Sequence, residues 1–495
     1  MLDRRESEPP NSSEMADSYI ARLERLPVWG LPYGLVWAIA FGWFVTSYDA
    51  TGNVGPALPY MVSQGFFPGS QSQALSEALF GGITLALVGY PVGAISLSYL
   101  ADRIGRRPGM MAAVLLTAIG ELGLTFSPSY VAWDFFRFIV GCGIGAGLAL
   151  VTTYVTEMSP TAKRGPYLNG TFIAGWVGAS LGILLATQIV IHNPVEGWRI
   201  VFGLGAVFAF ATLAIWVRAP ESVRYLVKAG RFDEAEGILS SMEASSMKRA
   251  HLTSLPEPKK LSFPLVSRSP LKELANPEYL KRILVLLVFW FFLYWVQYPF
   301  SVAWNTYFTG EFGYSPSETT TAIALFGYLA VGTTAGALLV RPLLNHIDRR
   351  LLATLTALAW PVGLFIALQG GPSRNFVEVA AGILLIDVVA GGFMYQLMYL
   401  TMAESFPTAS RSTGASLTEG LGHLGGAIAP AVLLPLTAVA GRQYAFPILG
   451  IPVVLAGLLV IAFIPKTVGR TLEESNEVLV DASTETQTGR RRDAA

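Results

Sequence analysis

Glu157-Met-Ser-Pro160-Thr-Ala-Lys-Arg164-Gly165 and Glu404-Ser-Phe-Pro407-Thr-Ala-Ser-Arg411 spell nearly the same string, 247 residues apart. Glu, Pro and Arg hold the same spacing in both, and Pro-Thr-Ala matches outright. Each string follows a long apolar, Gly-rich run. Pro220-Glu221-Ser222-Val223 and Pro465-Lys466-Thr467-Val468 repeat at a similar period. The chain therefore reads as two homologous halves.

Composition says where those halves sit. Of 495 residues 52% are hydrophobic and only 14% charged, with mean hydropathy +0.49. Soluble domains carry about 25% charged residues, so a membrane protein is expected. A doubled membrane chain places a path between its repeats. Net charge is zero, which says nothing about partners, and no nucleic-acid partner is expected. The single Cys142 excludes an internal disulfide and reads as helix packing. The four His are scattered, so no metal site is expected, and no cofactor either. No nucleophile–base pair or nucleotide loop suggests an enzyme. The first thirty residues are polar, carry Arg4, Arg5, Arg22 and Arg25, and show no cleavable signal pattern.

Twelve apolar stretches of about 20 residues are expected to cross a bilayer. They lie near 33–59, 75–99, 109–127, 131–157, 166–191, 199–217, 283–308, 319–341, 351–370, 377–404, 413–438 and 444–464. The organisation predicted is an N-terminal segment 1–30, a six-helix bundle 31–218, a polar linker 219–282 with short helices, a second bundle 283–464 and a tail 465–495. Basic residues set the orientation. With both termini in the cytosol, short inner loops hold Arg103, Arg106, Arg107, Lys163, Arg164, Arg349, Arg350 and Arg411. The outer loops hold only Arg199, Arg374 and Arg442, while the linker and Arg490-Arg491-Arg492 also fall inside. Gly141, Gly143, Gly145 and Gly147 in the fourth span, and Gly175, Gly178 and Gly182 in the fifth, let backbones pack closely.

Between spans two and three stands Gly93-Ala-Ile-Ser-Leu-Ser-Tyr-Leu-Ala-Asp102-Arg103-Ile-Gly105-Arg106-Arg107, with a worn copy at Asp348-Arg349-Arg350. This loop resembles the signature of the major facilitator superfamily. Arg137-x-x-x-Gly141-x-Gly143-x-Gly145 is similar to that superfamily's fourth-span motif. Glu157-x-x-Pro160-x-x-x-Arg164-Gly165, Pro220-Glu221-Ser222-x-Arg224-Tyr225-Leu226 and Gly469-Arg470-Thr471-Leu472-Glu473-Glu474 resemble its sugar-porter-related branch. Ile20-Ala-Arg-Leu-Glu-Arg-Leu-Pro27 is similar to bacterial metabolite:proton symporters for niacin, aromatic acids and related carboxylates. Those carriers often have Asp-Gly-(Phe/Tyr)-Asp in span one, where Thr46-Ser47-Tyr48-Asp49 stands here. They often have Arg before the Gly pair of span eleven, where His423 stands here.

The resemblance implies an all-α fold of two six-helix bundles and a carrier of small molecules. It suggests that Asp49 takes a proton and Arg137 responds. An intramembrane acid is functional by default, although a static ion pair fixing two helices is the alternative. Asp387 in span ten either faces the path or bonds a neighbouring hydroxyl. Glu121 is less promising, because span three is peripheral in the resembled fold. His423 either contacts substrate or is structural. An aromatic–amide run in span seven, Trp295, Gln297 and Tyr298 before Pro299, suits a small polar organic molecule with an apolar face. Asn53, Trp176, Gln188, Tyr395 and Gln396 are further candidates. Asp102, Arg103, Arg106, Glu157, Arg164, Glu404 and Arg411 are expected to form ion pairs at the cytosolic face when the carrier opens outward, and to separate when it opens inward. The expected function is proton-coupled symport of a small polar metabolite across the inner membrane by a monomer, driven by the proton gradient. An aromatic or short organic acid is favoured. A sugar or polyol symporter, an efflux carrier and a non-transporting nutrient receptor are the alternatives.

Overall fold

A computed structural model describes residues 12–49, 53–70, 73–74, 77–78, 80–259, 270–306, 331–408, 410–470 and 472. Part of the span expected at 319–341 lies outside them, as do Arg4, Arg5, Gly52, Glu473 and the tail arginines. Among the described residues every regular element is helical, and nine helices are long and apolar enough to cross a membrane. Helix α1 (Ser12–Glu24) precedes α2 (Tyr33–Ser47) and α3 (Val54–Ser63), which share the first expected span. The first half continues with α4 (Phe80–Ile104), α5 (Arg106–Thr125), α6 (Tyr130–Glu157), α7 (Thr161–His192) and α8 (Gly197–Trp216). The linker folds as α9 (Val223–Lys228), α10 (Phe232–Ala250) and α11 (Pro270–Leu274). The second half comprises α12 (Pro277–Thr306), α13 (Val331–Val340), α14 (Arg349–Ser373), α15 (Phe376–Glu404), α16 (Arg411–Ala415), α17 (Leu424–Ala440) and α18 (Gln443–Phe463).

Several helices start earlier than hydropathy suggests. α7 begins at Thr161 and α5 at Arg106, because charged side chains stop an apolar run without stopping backbone hydrogen bonding. The break between α4 and α5 falls at Gly105, whose φ of 118° suits a residue without Cβ. There Glu221 of the linker accepts from the N–H groups of Arg106 (2.9 Å) and Arg107 (3.2 Å), satisfying donors that a helix start leaves open. Deeper in the bundle α4 and α6 touch backbone to backbone. A Cβ at Gly145 would come within 2.7 Å of Tyr90 Cα, so only glycine lets these helices approach so closely. Among the described residues π-helical stretches interrupt the spans at Phe80–Leu85, Ile386–Met394 and Ser416–Gly420, and Tyr48 and Asp49 are π-helical as well. Such bulges concentrate at functional positions.

The halves meet along two seams, α4 against α16 and its π turn, and α7 against α13 and α15. Helix α1 lies against α10 at the molecule's end that also carries the linker. Ala16, Ile20 and Leu23 bury its apolar face. Arg22 bonds Glu236 (2.6 Å) and Glu243 (2.8 Å), and Arg25 bonds Glu243 (2.7 Å). The Arg22 hydrogen bond holds Glu236 down at about 2. Burial alone would raise Glu243, but the bonds from Arg22 and Arg25 outweigh it and hold it below its ordinary value. Depressed acids contribute stability above their ordinary value of 4.5 and lose it as pH falls toward 2. Nitroxide labels at the exposed Ser13 and Ala244 should therefore show α1 loosening across that window. The effect should be modest, because these pairs are partly exposed. A label distance unchanged down to pH 2 would mean that apolar packing alone docks α1.

Candidate functional site

At the α1 end, both copies of the repeated string converge in one buried network. Glu157 ends α6 and takes Arg106 of its own half (2.8 Å and 3.1 Å) and Arg411 of the other half (3.2 Å). Glu404 ends α15 and takes Arg349 of its own half and, across the seam, Arg164 (3.0 Å). The two clusters are copies of one another, and each glutamate bridges one arginine from each half. Asp102 bonds Arg106 (2.7 Å) and accepts from the N–H (3.0 Å) and hydroxyl (2.6 Å) of Thr413 across the seam. Ser416 bonds Ser98 (2.7 Å), and Asn345 donates to the Ala162 carbonyl (2.9 Å). This end is closed. Buried ion pairs carry a desolvation cost that offsets much of their attraction, so the clusters fix which halves meet more than they stabilise the fold.

Midway along the first half, Asp49 is fully buried and neither carboxylate oxygen has a hydrogen-bond partner. It does not stand alone. Asn53 donates to Glu121 Oε1 (3.3 Å), and both carboxylates abut Gly205 of α8. A Cβ there would lie 2.8 Å from Glu121 Oε2 and 2.9 Å from Asp49 Oδ1. Two ionised acids this close repel strongly away from water, and one proton between them removes that repulsion. Arg137 donates to the carbonyl of Gly82 (2.9 Å), within the first π stretch, while its Nε and Nη1 have no partner. Among the described residues no ion pair within 4.0 Å joins it to Asp49, whose oxygens stay without partners.

The second half contributes an aromatic wall. Trp290, Tyr294 and Tyr298 repeat every four residues on one face of α12. Trp290 lies 5.6 Å from Tyr294 and 4.6 Å from Tyr399. Tyr399 meets Phe172 (4.8 Å) and Trp43 (6.1 Å) of the first half, and Tyr395 meets Trp176 (5.7 Å). The indole N–H groups of Trp43, Trp176 and Trp290 and both amide atoms of Gln396 are buried without partners. Polar groups left open within an apolar wall are what a bound organic molecule could satisfy.

The candidates predicted from sequence distribute unevenly. Asp49, Asn53 and Arg137 gather in the first half; Tyr298, Tyr395 and His423 gather with Trp176 around the wall, Tyr395 donates to Gln297 Oε1, and Gln396 is buried with its amide unpartnered. Trp295 turns instead to Phe291 (6.0 Å) and Phe292 (6.3 Å). Gln188 is exposed, and Asp387 packs beside Gly332 of α13. At the closed end, Arg103 stays outside the network, exposed and 4.4 Å from the Tyr99 ring, because one helical residue turns it away from Asp102. Sequence reasoning passed over Glu419 and Tyr90, named Arg349 only as an inner-loop basic residue and part of a worn motif copy, and set Glu121 aside as peripheral. The available signal was the same for Glu121 and Glu419: an acid inside an apolar span.

Residues 35–479 match the model of the family described as sugar (and other) transporter. The chain is 26% identical over 466 residues to the niacin transporter NiaP of Acinetobacter baylyi, covering 92% of this chain and 98% of the relative. It is 27% identical over 402 residues to a gallate transporter of Pseudomonas putida, covering 79% and 85%. The proton:xylose symporter XylE bound to 6-bromo-6-deoxy-D-glucose superposes with a TM-score of 0.75 at 19% identity, covering 90% of this chain and 98% of that one. That fold is the major facilitator arrangement of two six-helix bundles. With the family model spanning most of its length, this chain belongs to the sugar (and other) transporter family, as a multi-pass membrane transporter of small molecules built on the major facilitator fold.

Proposed function

We propose that the chain is a proton-coupled symporter of a small polar organic metabolite, an aromatic or short organic acid, working by rocking alternating access. The observation that carries this reading is the buried Asp49, whose two oxygens lack partners beside Glu121 and in the field of Arg137. An acid so placed can take a proton without any rearrangement of hydrogen bonds. Arg137 keeps unpartnered N–H groups for a substrate carboxylate, and the aromatic wall offers faces to a ring. Relatives named for niacin and gallate, both ring acids, support the substrate class. The basic inner loops support a cytosolic side for the closed end, both termini and the linker, with the carrier in the inner membrane.

The test is uptake into proteoliposomes with an imposed inward proton gradient, using nicotinate, gallate and xylose as the panel. A ring acid should accumulate above its outside concentration, and a protonophore should abolish the accumulation. Accumulation of xylose alone would replace the acid reading with the sugar one. Equal entry with and without the gradient would remove proton coupling.

A further inference from the structure

One buried acid has no role in the scheme so far. Glu419 lies in the π turn Ser416–Gly420 and is fully buried. Its Oε1 accepts from the hydroxyls of Tyr294 (2.8 Å) and Tyr399 (3.0 Å), and its Oε2 has no partner. The groups facing it are Tyr294 and Tyr298 of α12, Tyr395 and Tyr399 of α15, Tyr90 of α4, and His423 on its own segment. The imidazole Nδ1 lies 3.6 Å from Oε1 but only 2.9 Å from the Glu419 carbonyl, to which it can donate as a neutral ring. Among the described residues no lysine or arginine pairs with Glu419 within 4.0 Å.

A buried carboxylate without a cation is costly, and two hydroxyl bonds on one oxygen offset only part of that cost. A proton on Oε2 removes the charge and needs no space. The place is also sensitive. Gly420 packs on α4, where a Cβ would meet that of Ala94 at 2.8 Å, and Thr413 and Ser416 of the same segment bond Asp102 and Ser98 across the seam. On the other side Tyr90 bridges toward the first half: its ring lies 4.2 Å from that of His423, and the charges of Arg137 and Asp49 reach it.

We propose that Glu419 is a second proton-binding carboxylate, in the half opposite Asp49, so that each transport cycle carries two protons. This rests on the proton-coupled reading above. One proton is taken at Asp49 and one at Glu419 from the outer solution, and both leave to the inner one with the substrate. Neutral Glu419 lets the π turn slide along α4 without dragging a charge through a buried seam.

The experiment has two arms. In the first, infrared titration of the lipid-reconstituted protein follows carboxylic-acid carbonyl bands without any substrate. Glu419→Gln should remove one band, and Tyr294→Phe or Tyr399→Phe should shift it by removing a donor to Oε1. If Glu419→Gln folds poorly, the tyrosine variants alone carry this arm. In the second, accumulation of nicotinate or gallate is measured at zero membrane potential. One proton driven by one pH unit gives about tenfold accumulation and two give about a hundredfold. Wild type should approach a hundredfold and Glu419→Gln tenfold. Identical bands in all variants, or a wild type limited to tenfold, would overturn the second site while leaving proton symport intact. Accumulation indifferent to pH would instead overturn the earlier reading.

Discussion

Asp49→Asn is expected to abolish net uphill uptake while exchange of internal for external substrate continues. Asparagine keeps the shape of the side chain but is permanently in its uncharged form. A loaded carrier needs that form, so exchange between loaded states survives. In a coupled cycle the empty carrier returns only after Asp49 has given its proton to the inner side. Asparagine cannot release a proton, so the step that ties the empty return to the gradient is missing. Gradient-driven accumulation should therefore fall to simple equilibration. Glu419→Gln leaves the Asp49 step in place, so it should lower the stoichiometry without stopping the cycle. The measurement is gradient-driven accumulation and counterflow on the same preparation of folded protein. Uphill accumulation by Asp49→Asn would take the proton away from this residue. Restored loss on adding Glu121→Gln would then assign it to the neighbouring acid at Gly205.

Glu157→Gln and Glu404→Gln should each open the closed end. Either change removes the charge from a carboxylate that holds arginines of both halves, and with it one charge-assisted bond across the seam. Such a bond is worth about 1.5–3 kcal/mol, enough to shift a two-state balance by about ten- to a hundredfold. Labels at the exposed Lys163 and His346 flank the contact of Asn345 with Ala162 and should report longer distances. Transport should slow because the closed state becomes rare, while equilibrium binding survives. The two substitutions should act alike, since the two clusters repeat one arrangement. Unchanged distances in both variants would mean that the glutamates only neutralise arginines placed there by topology.

Much of this was legible in the chain itself. The doubled Glu-x-x-Pro-x-x-x-Arg string pointed to two halves and to the residues that meet at their closed end, because the spacing places acid and arginine on neighbouring helix ends. The spans were legible because lipid demands long apolar runs. The partners of each buried acid were not. Asp49 and Glu121 are far apart in sequence and meet only because Gly205 of a third helix leaves room for both. Tyr90 looked like an ordinary member of an apolar helix, Glu419 stood out only as an acid inside a span, and nothing local says which face of a span turns toward the other half. Arg103 shows the converse: a motif residue adjacent to Asp102 in sequence points elsewhere, because successive helical residues diverge by about 100°.

The π turn at Ser416–Gly420 gives its span two faces where a regular helix would have one. An extra residue in the turn rotates everything beyond it by about 100°. Thr413 below it and Ser416 at its first position are aimed at α4 and stitch the seam; beyond it, His423 is aimed at the tyrosines. The span therefore works as a crank, with the closing surface and the chemical surface set at different angles on one shaft. A small roll about that axis is felt at both ends at once, as a parting of side chains at the seam and a change of company for the acid inside.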